Sequence, residues 1–416
     1  MGSDLNFSLE PIRRALKKLG DPQDAYPTVL IGGTNGKGST SAMLEGIVRC
    51  CGLRTGLFHS PAPSAHKHVH LDGQAVDRPL FAEHFLRADR AGDLSWFETV
   101  TAAAFGIFHQ AGVDLAVVEV GLGGAQDCTN VIRAPEVSMV VSVGLDHTRM
   151  LGSDLRSITE QKARIFRSQR TALIGQLPQE AAEACERVAT QLGSELKRAE
   201  DLASWVSEPD GRSRIETTRH CLSFRPPLAG EHQLHNGALA VLAAEELEER
   251  SILPKRDASI WIDGLEQCRW PGRLQWLPQA RFSDGRLRRS VLIDSAHNPP
   301  AIHSLANYWH GTEGHSADIL FGAFGDKDIK TIMGILRPIV HRIHLTTTGH
   351  RRSASPQDLL DHWCAVDGDS SRVASTGALA ECLETCLNED TRRPLIIAGS
   401  LDLIHRTLET TDTSNT

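Results

Sequence analysis

Short apolar runs alternate with helix-like stretches along most of the chain, and this alternation constrains the fold more than any other feature of the sequence. Many of the runs end in a glycine-rich or polar turn rather than in a two-residue hairpin, which is typical of βα units built on a mostly parallel sheet. The first unit is a predicted strand at residues 26–32 followed by a predicted helix at residues 39–51. Further strands are predicted at residues 115–120, 137–143 and 171–175. The sequence therefore predicts an α/β fold.

The chain changes character near residues 270–275 (WPGRLQ), where a helical stretch ends and a basic, irregular segment follows from residue 280. Four more strand-like runs come after it, at residues 291–293, 319–321, 342–346 and 394–398. We therefore expect two domains, residues 1–275 and residues 276–416, the second being the smaller.

Composition excludes several classes of protein. The 416 residues carry 44 Lys+Arg and 52 Asp+Glu, so the formal net charge is 44 − 52 = −8, and 40% of the residues are hydrophobic. These values are ordinary for a soluble globular protein, and an acidic chain lacks the basic patch that nucleic-acid binding requires. No apolar run approaches the roughly 20 residues needed to span a bilayer, and the first residues lack the apolar core of a signal peptide. With nine cysteines and no C-x-x-C pair, we expect free thiols in a cytoplasmic monomer without nucleic-acid or membrane partners.

A glycine-rich segment lies between the first predicted strand and the first predicted helix. Its glycines allow consecutive backbone N–H groups to face a phosphate, the helix N-terminus adds partial positive charge, and Lys37 adds a full one. The spacing is a variant of the P-loop pattern, since Gly38 stands where Ser or Thr is expected. A turn without a ligand is the alternative. The predicted nucleotide-binding residues here are Gly33, Thr34, Asn35, Gly36, Lys37, Gly38, Ser39 and Thr40.

The segment LGDPQDAYPTVLIGGTNGKGST resembles the opening of the folylpolyglutamate synthase/dihydrofolate synthase family, a branch of the Mur ligases that form amide bonds with ATP. Further matches follow in the family's order and cover almost the whole chain: EVGLGGAQDCTN at 119–130, GLDHTRMLG at 144–152, EQKARIFR at 160–167, HQLHN at 232–236, PGRLQ at 271–275, DSAHNP at 294–299 and GDKD at 325–328. The resemblance implies a P-loop Mur-ligase-type central domain followed by a smaller Rossmann-like α/β domain. It also implies ATP-dependent addition of L-glutamate to dihydropteroate or to a folate.

ATP-driven amide formation transfers a phosphoryl group to a carboxylate, so cations must offset the charge of two anions. Glu119 ends a predicted buried strand and is a credible magnesium ligand, the alternative being an acid paired with a nearby lysine. By resemblance, Ser60 and Glu119 serve one magnesium, and Glu119 with His147 serves a second. Lys162 corresponds to a lysine that is often carbamylated in this family, which would make it an anionic support for the second metal. A surface helix lysine is the alternative.

The resemblance also assigns residues to the nucleotide and to the substrates. Asn236 is assigned to the base or ribose, Arg273 to phosphate, and Asp294 to contacts on the hinge side. Catalytic roles fall on Lys37, Lys162 and His297. In the second domain, His297, Lys327 and Asp328 would help to position the incoming glutamate or the phosphate. The predicted substrate-binding residues are Phe97, Glu98, Gly124 and Asp127.

Three positions depart from the family pattern. Ala62 replaces a histidine in the substrate loop, Ala125 replaces an arginine, and Arg164 replaces a glycine. The same loop, shortened by one residue, contains His66, His68 and His70, which would lie on one face of a strand. We interpret these histidines as part of a substrate loop or plain strand, with a transition-metal site as the alternative.

Competing functions remain to be separated. A Mur ligase acting on a UDP-linked precursor would need a further N-terminal domain, and only 32 residues precede Gly33. A degenerate nucleotide-binding relative without turnover, or a folylpolyglutamate synthase without the second activity, would keep most of the motifs. We expect a bifunctional enzyme that uses ATP and Mg²⁺ and makes both dihydrofolate and folylpolyglutamates.

Overall fold

The computed structural model describes residues 8–277, 289–368, 370–389 and 391–411. They form two compact units. The first comprises the chain up to Gly144, together with Thr148–Pro227 and Glu231–Arg269; the second comprises Leu145–His147, Leu228–Gly230 and the chain from Trp270 onward. Residues 278–288, which include most of the basic, irregular segment, lie outside the described residues. In the part of the chain that is described, no helix is both long enough and apolar enough to cross a membrane.

The first unit is built on an eight-stranded sheet in which the six strands from β2 to β8 in the spatial order run parallel. The order is β4-β3-β2-β5-β1-β6-β7-β8. Its strands are β1 (Thr28–Gly32), β2 (Thr55–Phe58), β3 (Val69–Leu71), β4 (Gln74–Ala75), β5 (Leu115–Glu119), β6 (Val137–Val140), β7 (Thr171–Ile174) and β8 (Glu195–Arg198). Its helices are α1 (Glu10–Lys18), α2 (Lys37–Cys50), α3 (Arg78–Ala91), α4 (Trp96–Ala111), α5 (Thr148–Leu151), α6 (Leu155–Ala163), α7 (Gln179–Leu192), α8 (Ala199–Leu202), α9 (Glu231–Glu249) and α10 (Ala258–Glu266).

Helix α2 is buried along most of its length rather than on one face. It packs against α9, α10 and strand β5. A Cβ atom on Gly46 of α2 would lie 2.4 Å from the carbonyl oxygen of Gly264 in α10, so the backbones of these two helices are in direct contact. This close packing fixes the helix that begins at Lys37, directly after the glycine-rich segment.

A small antiparallel sheet, order β11-β10-β9, also belongs to the first unit. The sequence analysis did not predict it. Its strands are short and half exposed, so their hydrophobic pattern is weak. They are β9 (Ala203–Ser207), β10 (Ser213–Thr217) and β11 (Cys221–Phe224).

The second unit has a six-stranded sheet of order β12-β13-β17-β14-β15-β16, parallel except for β12. The four predicted strands are present, and β12 and β16 add one strand at each edge. The strands are β12 (Gln275–Leu277), β13 (Val291–Asp294), β14 (Ala317–Phe321), β15 (Val340–Thr346), β16 (Val373–Gly377) and β17 (Leu395–Ala398). The helices are α11 (Pro299–Thr312), α12 (Ile329–Leu336), α13 (Pro356–Asp367), α14 (Leu379–Asn388) and α15 (Leu401–Thr411).

The predicted α/β class with mostly parallel sheets is confirmed. Two element bounds differ in a way that affects the site. The helix begins at Lys37 instead of residue 39, and the strand predicted at 137–143 ends at Val140. The residues after Val140 leave the sheet because their polar groups bond to the glycine-rich segment.

Candidate active site

The glycine-rich segment joins the carboxyl end of β1 to the first turn of α2 and is held by the chain that follows β6. The N–H of Thr34 donates to the carbonyl of Ser142 at 2.7 Å, and the N–H of Asn35 donates to the Ser142 hydroxyl at 2.9 Å. The N–H of Gly144 donates to the Thr34 hydroxyl at 3.0 Å. These bonds attach the loop to the segment that follows β6.

Two glycines of the loop have positive φ angles that residues with side chains rarely adopt. Gly33 has φ of 141° and Gly36 has φ of 82°. A Cβ atom on Gly36 would lie 2.4 Å from Oδ1 of Asn236, so the loop passes directly beside this residue of α9. Asn236 is buried, and its side-chain amide donates to Gln233 at 2.8 Å. The structure therefore brings together two segments that the sequence analysis assigned separately to the nucleotide.

Two lysines converge on the loop. The Lys37 ammonium donates to the carbonyls of Gly33 at 3.3 Å and Thr34 at 3.1 Å. The Lys162 ammonium donates to the carbonyl of Gly33 at 2.9 Å. Lys162 lies near the end of α6 and is only 4% exposed, so the interpretation as a surface lysine is wrong.

Glu119 forms an ion pair with Lys37. Its Oε1 lies 3.9 Å from the Lys37 ammonium, and the N–H of Ser60 faces its Oε2 at 3.4 Å. Strands β2 and β5 are neighbours in register, with Phe58 beside Val118, so Ser60 and Glu119 reach the same edge of the sheet. The ion pair with a lysine that the sequence analysis offered as an alternative is thus present, beside the predicted metal ligand Ser60.

Several features of this edge fit a magnesium–nucleotide complex. The hydroxyl of Thr40, in the first turn of α2, is buried and has no hydrogen-bond partner among the described residues. Glu119 and Ser60 supply hard oxygen atoms, which Mg²⁺ prefers. No group of three His, Cys, Asp or Glu side chains in the described residues could hold a metal by itself. Mg²⁺ commonly binds one or two carboxylates and completes its shell with substrate phosphates and water.

The predicted substrate residues Phe97 and Glu98 lie in the first turn of α4. The Glu98 carboxylate accepts from the N–H and hydroxyl of Ser95 and so caps the helix. Phe97 packs against Phe58, with ring centroids 6.0 Å apart, and against His68 at 6.4 Å.

Gly124 and Asp127 belong to the turn after β5. A Cβ atom on Gly124 would lie 2.7 Å from the carbonyl oxygen of Lys162, so this turn packs directly on the end of α6. The buried Asp127 carboxylate accepts from the N–H groups of Leu122 at 2.7 Å and Thr129 at 3.0 Å. Burial raises the pKa of Asp127 despite these bonds.

The three histidines of the substrate loop do not alternate along a strand. His66 and His68 lie in a short 3₁₀ turn, Ala65–His68, and His70 lies in β3. His68 is held by a 2.7 Å bond from its Nδ1 to the carbonyl of His59, which turns the chain out of the extended conformation. The Nε2 atoms of His59 and His70 lie 3.3 Å apart.

In the second unit, His147 follows Asp146, a residue that the sequence analysis did not select. The Lys327 ammonium donates to Oδ1 of Asp146 at 2.7 Å and lies 3.5 Å from Nε2 of His147. The side-chain amide of Asn298 donates to Oδ2 of Asp146 at 3.0 Å. Burial alone would raise the pKa of Asp146, but the Lys327 ammonium holds it well below its usual range. The only signal for Asp146 was its place in GLDHT, next to the histidine.

His297 lies in the same unit and remains neutral. Its Nδ1 bonds to the carbonyl of Ser295 at 2.8 Å, and burial together with the Lys327 charge lowers its pKa to about 4. With a proton on Nδ1, the free position for accepting a proton is Nε2.

Arg273 and Asp294 lie where the second unit begins. The Arg273 guanidinium donates to the hydroxyl of Ser295. The Asp294 carboxylate accepts from the N–H groups of Leu274 at 2.7 Å and Ala296 at 2.7 Å, and burial raises its pKa against the effect of Arg273. Asp294 therefore ties the turn before β12 to the end of β13.

Comparison with known proteins supports one family. The Mur ligase middle domain matches residues 31–244. The chain is 32% identical over 391 residues to the dihydrofolate synthase/folylpolyglutamate synthase of Mycobacterium tuberculosis, covering 85% of this chain and 76% of that protein. It is 30% identical over 412 residues to a probable bifunctional folylpolyglutamate synthase/dihydropteroate synthase of Haloferax volcanii, covering 95% of this chain but 47% of that protein. The chain thus spans about half the length of this second relative.

Solved structures give the same result. The M. tuberculosis folylpolyglutamate synthase complexed with ADP superposes with a TM-score of 0.88 at 27% identity, covering 97% of this chain and 94% of that one. E. coli FolC in complex with DHPP and ADP gives 0.87 at 26% identity, covering 100% and 96%. The bifunctional folylpolyglutamate synthase/dihydrofolate synthase of Yersinia pestis, complexed with AMPPNP and a Mn ion, gives 0.84 at 26% identity, covering 98% and 94%.

Proposed function

The chain belongs to the folylpolyglutamate synthase/dihydrofolate synthase family of Mur ligases, a family of ATP-dependent ligases, and from this premise we propose that it joins L-glutamate to dihydropteroate and to folates. The reaction forms an amide through an acyl phosphate. The observation that carries the proposal is the convergence of Lys37, Lys162 and Glu119 on the P-loop.

Phosphate binding follows from the loop's backbone. N–H groups at the start of α2 and the Lys37 ammonium would meet the β- and γ-phosphates of ATP. The Lys37 ammonium donates to two carbonyl oxygens of its own loop, and phosphate oxygens can take the place of these acceptors. Asn236, packed beside Gly36, would lie next to the nucleoside.

Ser60 and Glu119 in the first unit would hold magnesium, with His147 of the second unit assigned to a second ion by the family resemblance. Magnesium supplies charge that offsets the repulsion between the nucleotide and the acceptor carboxylate. Lys162, if carbamylated, would add an anion to this set. That modification would replace the ammonium that donates to Gly33 with a carbamate, whose oxygens resemble those of a carboxylate.

The chemistry then balances in two steps. A carboxylate oxygen of the pterin-linked acceptor takes the γ-phosphoryl group from ATP, and ADP leaves. The glutamate amine attacks the acyl carbon, the C–N bond forms, phosphate leaves, and the amine loses a proton. His297 would accept that proton at Nε2, because its Nδ1 is bonded to Ser295 and its imidazole is neutral at pH 7.

Two activities are proposed because the M. tuberculosis relative and the Y. pestis structure, which align with 85% and 98% of this chain, are each named for both activities. Dihydropteroate and folates present the same carboxylate chemistry and differ in the distance from the pterin ring to that carboxylate. A degenerate relative without turnover is disfavoured, since Lys37, Glu119 and Lys162 are all present and buried or half-buried at the loop.

The deciding experiment supplies dihydropteroate or tetrahydrofolate with ATP, Mg²⁺ and labelled glutamate. We expect label in both products and ATP hydrolysis only when acceptor and glutamate are both present. Label only in the product made from tetrahydrofolate would reject the bifunctional assignment. Nucleotide binding without either product would favour the non-catalytic relative.

A further inference from the structure

A cavity lies in the first unit, beside the turn after β5 that carries Ala125. Its volume is about 560 Å³, within the range of small-ligand sites. Helix α1 forms one wall, and Ala125, the residues around Asn130, and Arg167 form the opposite one. None of the residues assigned above to nucleotide, metal or substrate lines it. Ala125 in the turn after β5 lines this cavity, and the neighbouring Gly124 packs on the backbone of Lys162.

The cavity is strongly cationic. Four of its lining residues are Arg13, Lys17, Arg133 and Arg167, against one acid, Asp21. Arg133 is neutralised, because it pairs with Asp21 at 3.5 Å and with Asp24 at 3.1 Å. The other three cations have no acidic partner among the residues that the structure describes.

Arg167 shows how this charge is held in place. Among the described residues, its guanidinium donates only to neutral oxygens: five backbone carbonyls and the side-chain oxygen of Asn130, at 2.6 Å. Burial and the neighbouring Arg13 lower its pKa. A fixed, uncompensated guanidinium facing a cavity is a favourable partner for an anion.

Helix α1 adds a repeated charge. Arg13 and Lys17 are four residues apart and therefore lie on one helix face, about 6 Å apart along the axis. Like charges at this spacing oppose helix formation unless an anion lies between or against them. Beside them, Leu9, Leu16, Val131 and Ile132 supply apolar surface.

We propose that this cavity binds the γ-linked oligoglutamate tail of a folylpolyglutamate. The choice of ligand rests on the proposed function. Successive α-carboxylates of a γ-linked chain are separated by five backbone bonds, an extended repeat of roughly 6 Å. This repeat matches the spacing of Arg13 and Lys17. The two methylene groups of each glutamate unit would pack against the apolar lining residues, such as Leu16 and Val131. A tail bound here would let the enzyme respond to chain length without using the reaction centre.

The test is direct binding of tri-γ-L-glutamate to the full chain by calorimetry, compared with tri-α-L-glutamate. The two peptides carry the same charges and differ in the spacing of their carboxylates. We expect the γ-linked peptide to bind at least about tenfold more tightly. The double variant Arg13→Gln/Lys17→Gln should lose this preference, and it should fold, because both side chains are exposed and Gln is a good helix former. Arg14→Gln is the matched control on α1, exposed and paired only with Glu10.

Equal affinity for the two peptides would overturn the proposal and leave a general anion site. Unchanged affinity in the double variant, or no measurable binding to the wild-type chain, would also overturn it. Addition of the first glutamate is measured in parallel on the same samples. If that reaction is absent while the γ-linked peptide binds, the proposed function fails and the cavity assignment stands; the reverse result rejects the cavity alone.

Discussion

The ammonium of Lys162 donates a hydrogen bond of 2.9 Å to the carbonyl oxygen of Gly33, a residue 129 positions away in the sequence. Gly33 begins the P-loop, and Lys162 lies near the end of helix α6. The bond places a buried cation against the same carbonyl that Lys37 contacts. The two lysines therefore share one backbone acceptor at the start of the phosphate loop.

We predict that Lys162 is carbamylated in the active enzyme. The neutral amine would add CO₂ and release a proton, and the product would supply anionic oxygens near Glu119. Lys162→Ala should abolish ligation, and acetate should restore part of it. Lys255→Ala, an exposed lysine of the same unit, is the control. Carbon-13 NMR after exposure to labelled CO₂ checks the modification, and an active enzyme with only unmodified lysine would contradict it.

Lys37→Ala should lower the ligation rate by about 10²–10³-fold, the usual effect of removing one donor to a developing charge. The fold should persist, because the Lys37 ammonium contacts only its own loop and Glu119. Steady-state kinetics and thermal unfolding are measured together, with Lys255→Ala again as control. A folded variant with the wild-type rate would remove the phosphate-binding role.

Gly36→Ala and Gly52→Ala form a matched pair. Both glycines have positive φ, 82° and 92°, so an alanine at either position costs about 1–2 kcal/mol of stability. At Gly36 the Cβ would meet Oδ1 of Asn236 at 2.4 Å and Cγ1 of Val141 at 2.9 Å, whereas nothing lies within 4 Å at Gly52. We expect ADP affinity to fall in Gly36→Ala alone, as measured by calorimetry. Equal loss in both variants would show that strain, and not displacement of Asn236, is responsible.

His235 should make stability depend on pH between about 4 and 6.5. Burial lowers its pKa to about 4, and its Nε2 accepts from the N–H of Gln176 at 2.8 Å, which requires the neutral ring. Below pH 6.5 the unfolded chain binds a proton that the folded chain does not, so stability falls as the pH falls through this window. The contribution is at most about 3 kcal/mol.

Urea unfolding of wild type and His235→Gln across that range provides the measurement. In the variant, the free energy of unfolding should depend less steeply on pH, since glutamine does not titrate. His109→Gln, at an exposed position of α4, should keep the wild-type slope. Parallel slopes for wild type and His235→Gln would exclude this histidine as the source.

Features that depend on neighbouring residues were predictable. The strand–loop–helix around Gly33 and Lys37 follows from apolar spacing, glycine and a helix start, all within about fifteen positions. Glu119 was predictable because a strand end determines where its side chain lies. Features that depend on distant residues were not. Lys327 and Asp146 are 181 positions apart, and no local pattern indicates that they form an ion pair.

The sequence by itself determined the α/β class, the P-loop and the family, because these follow from local periodicity and from motifs in a fixed order. Only the tertiary structure decided which polar groups are buried and with what partners. It turned Glu98 and Asp127 toward local backbone N–H groups, and it buried Lys162 against Gly33. It also assembled the cationic cavity from α1, the turn after β5 and the end of α6. Burial and charge pairing depend on which segments pack together, and that is decided by the whole core rather than by any stretch of sequence.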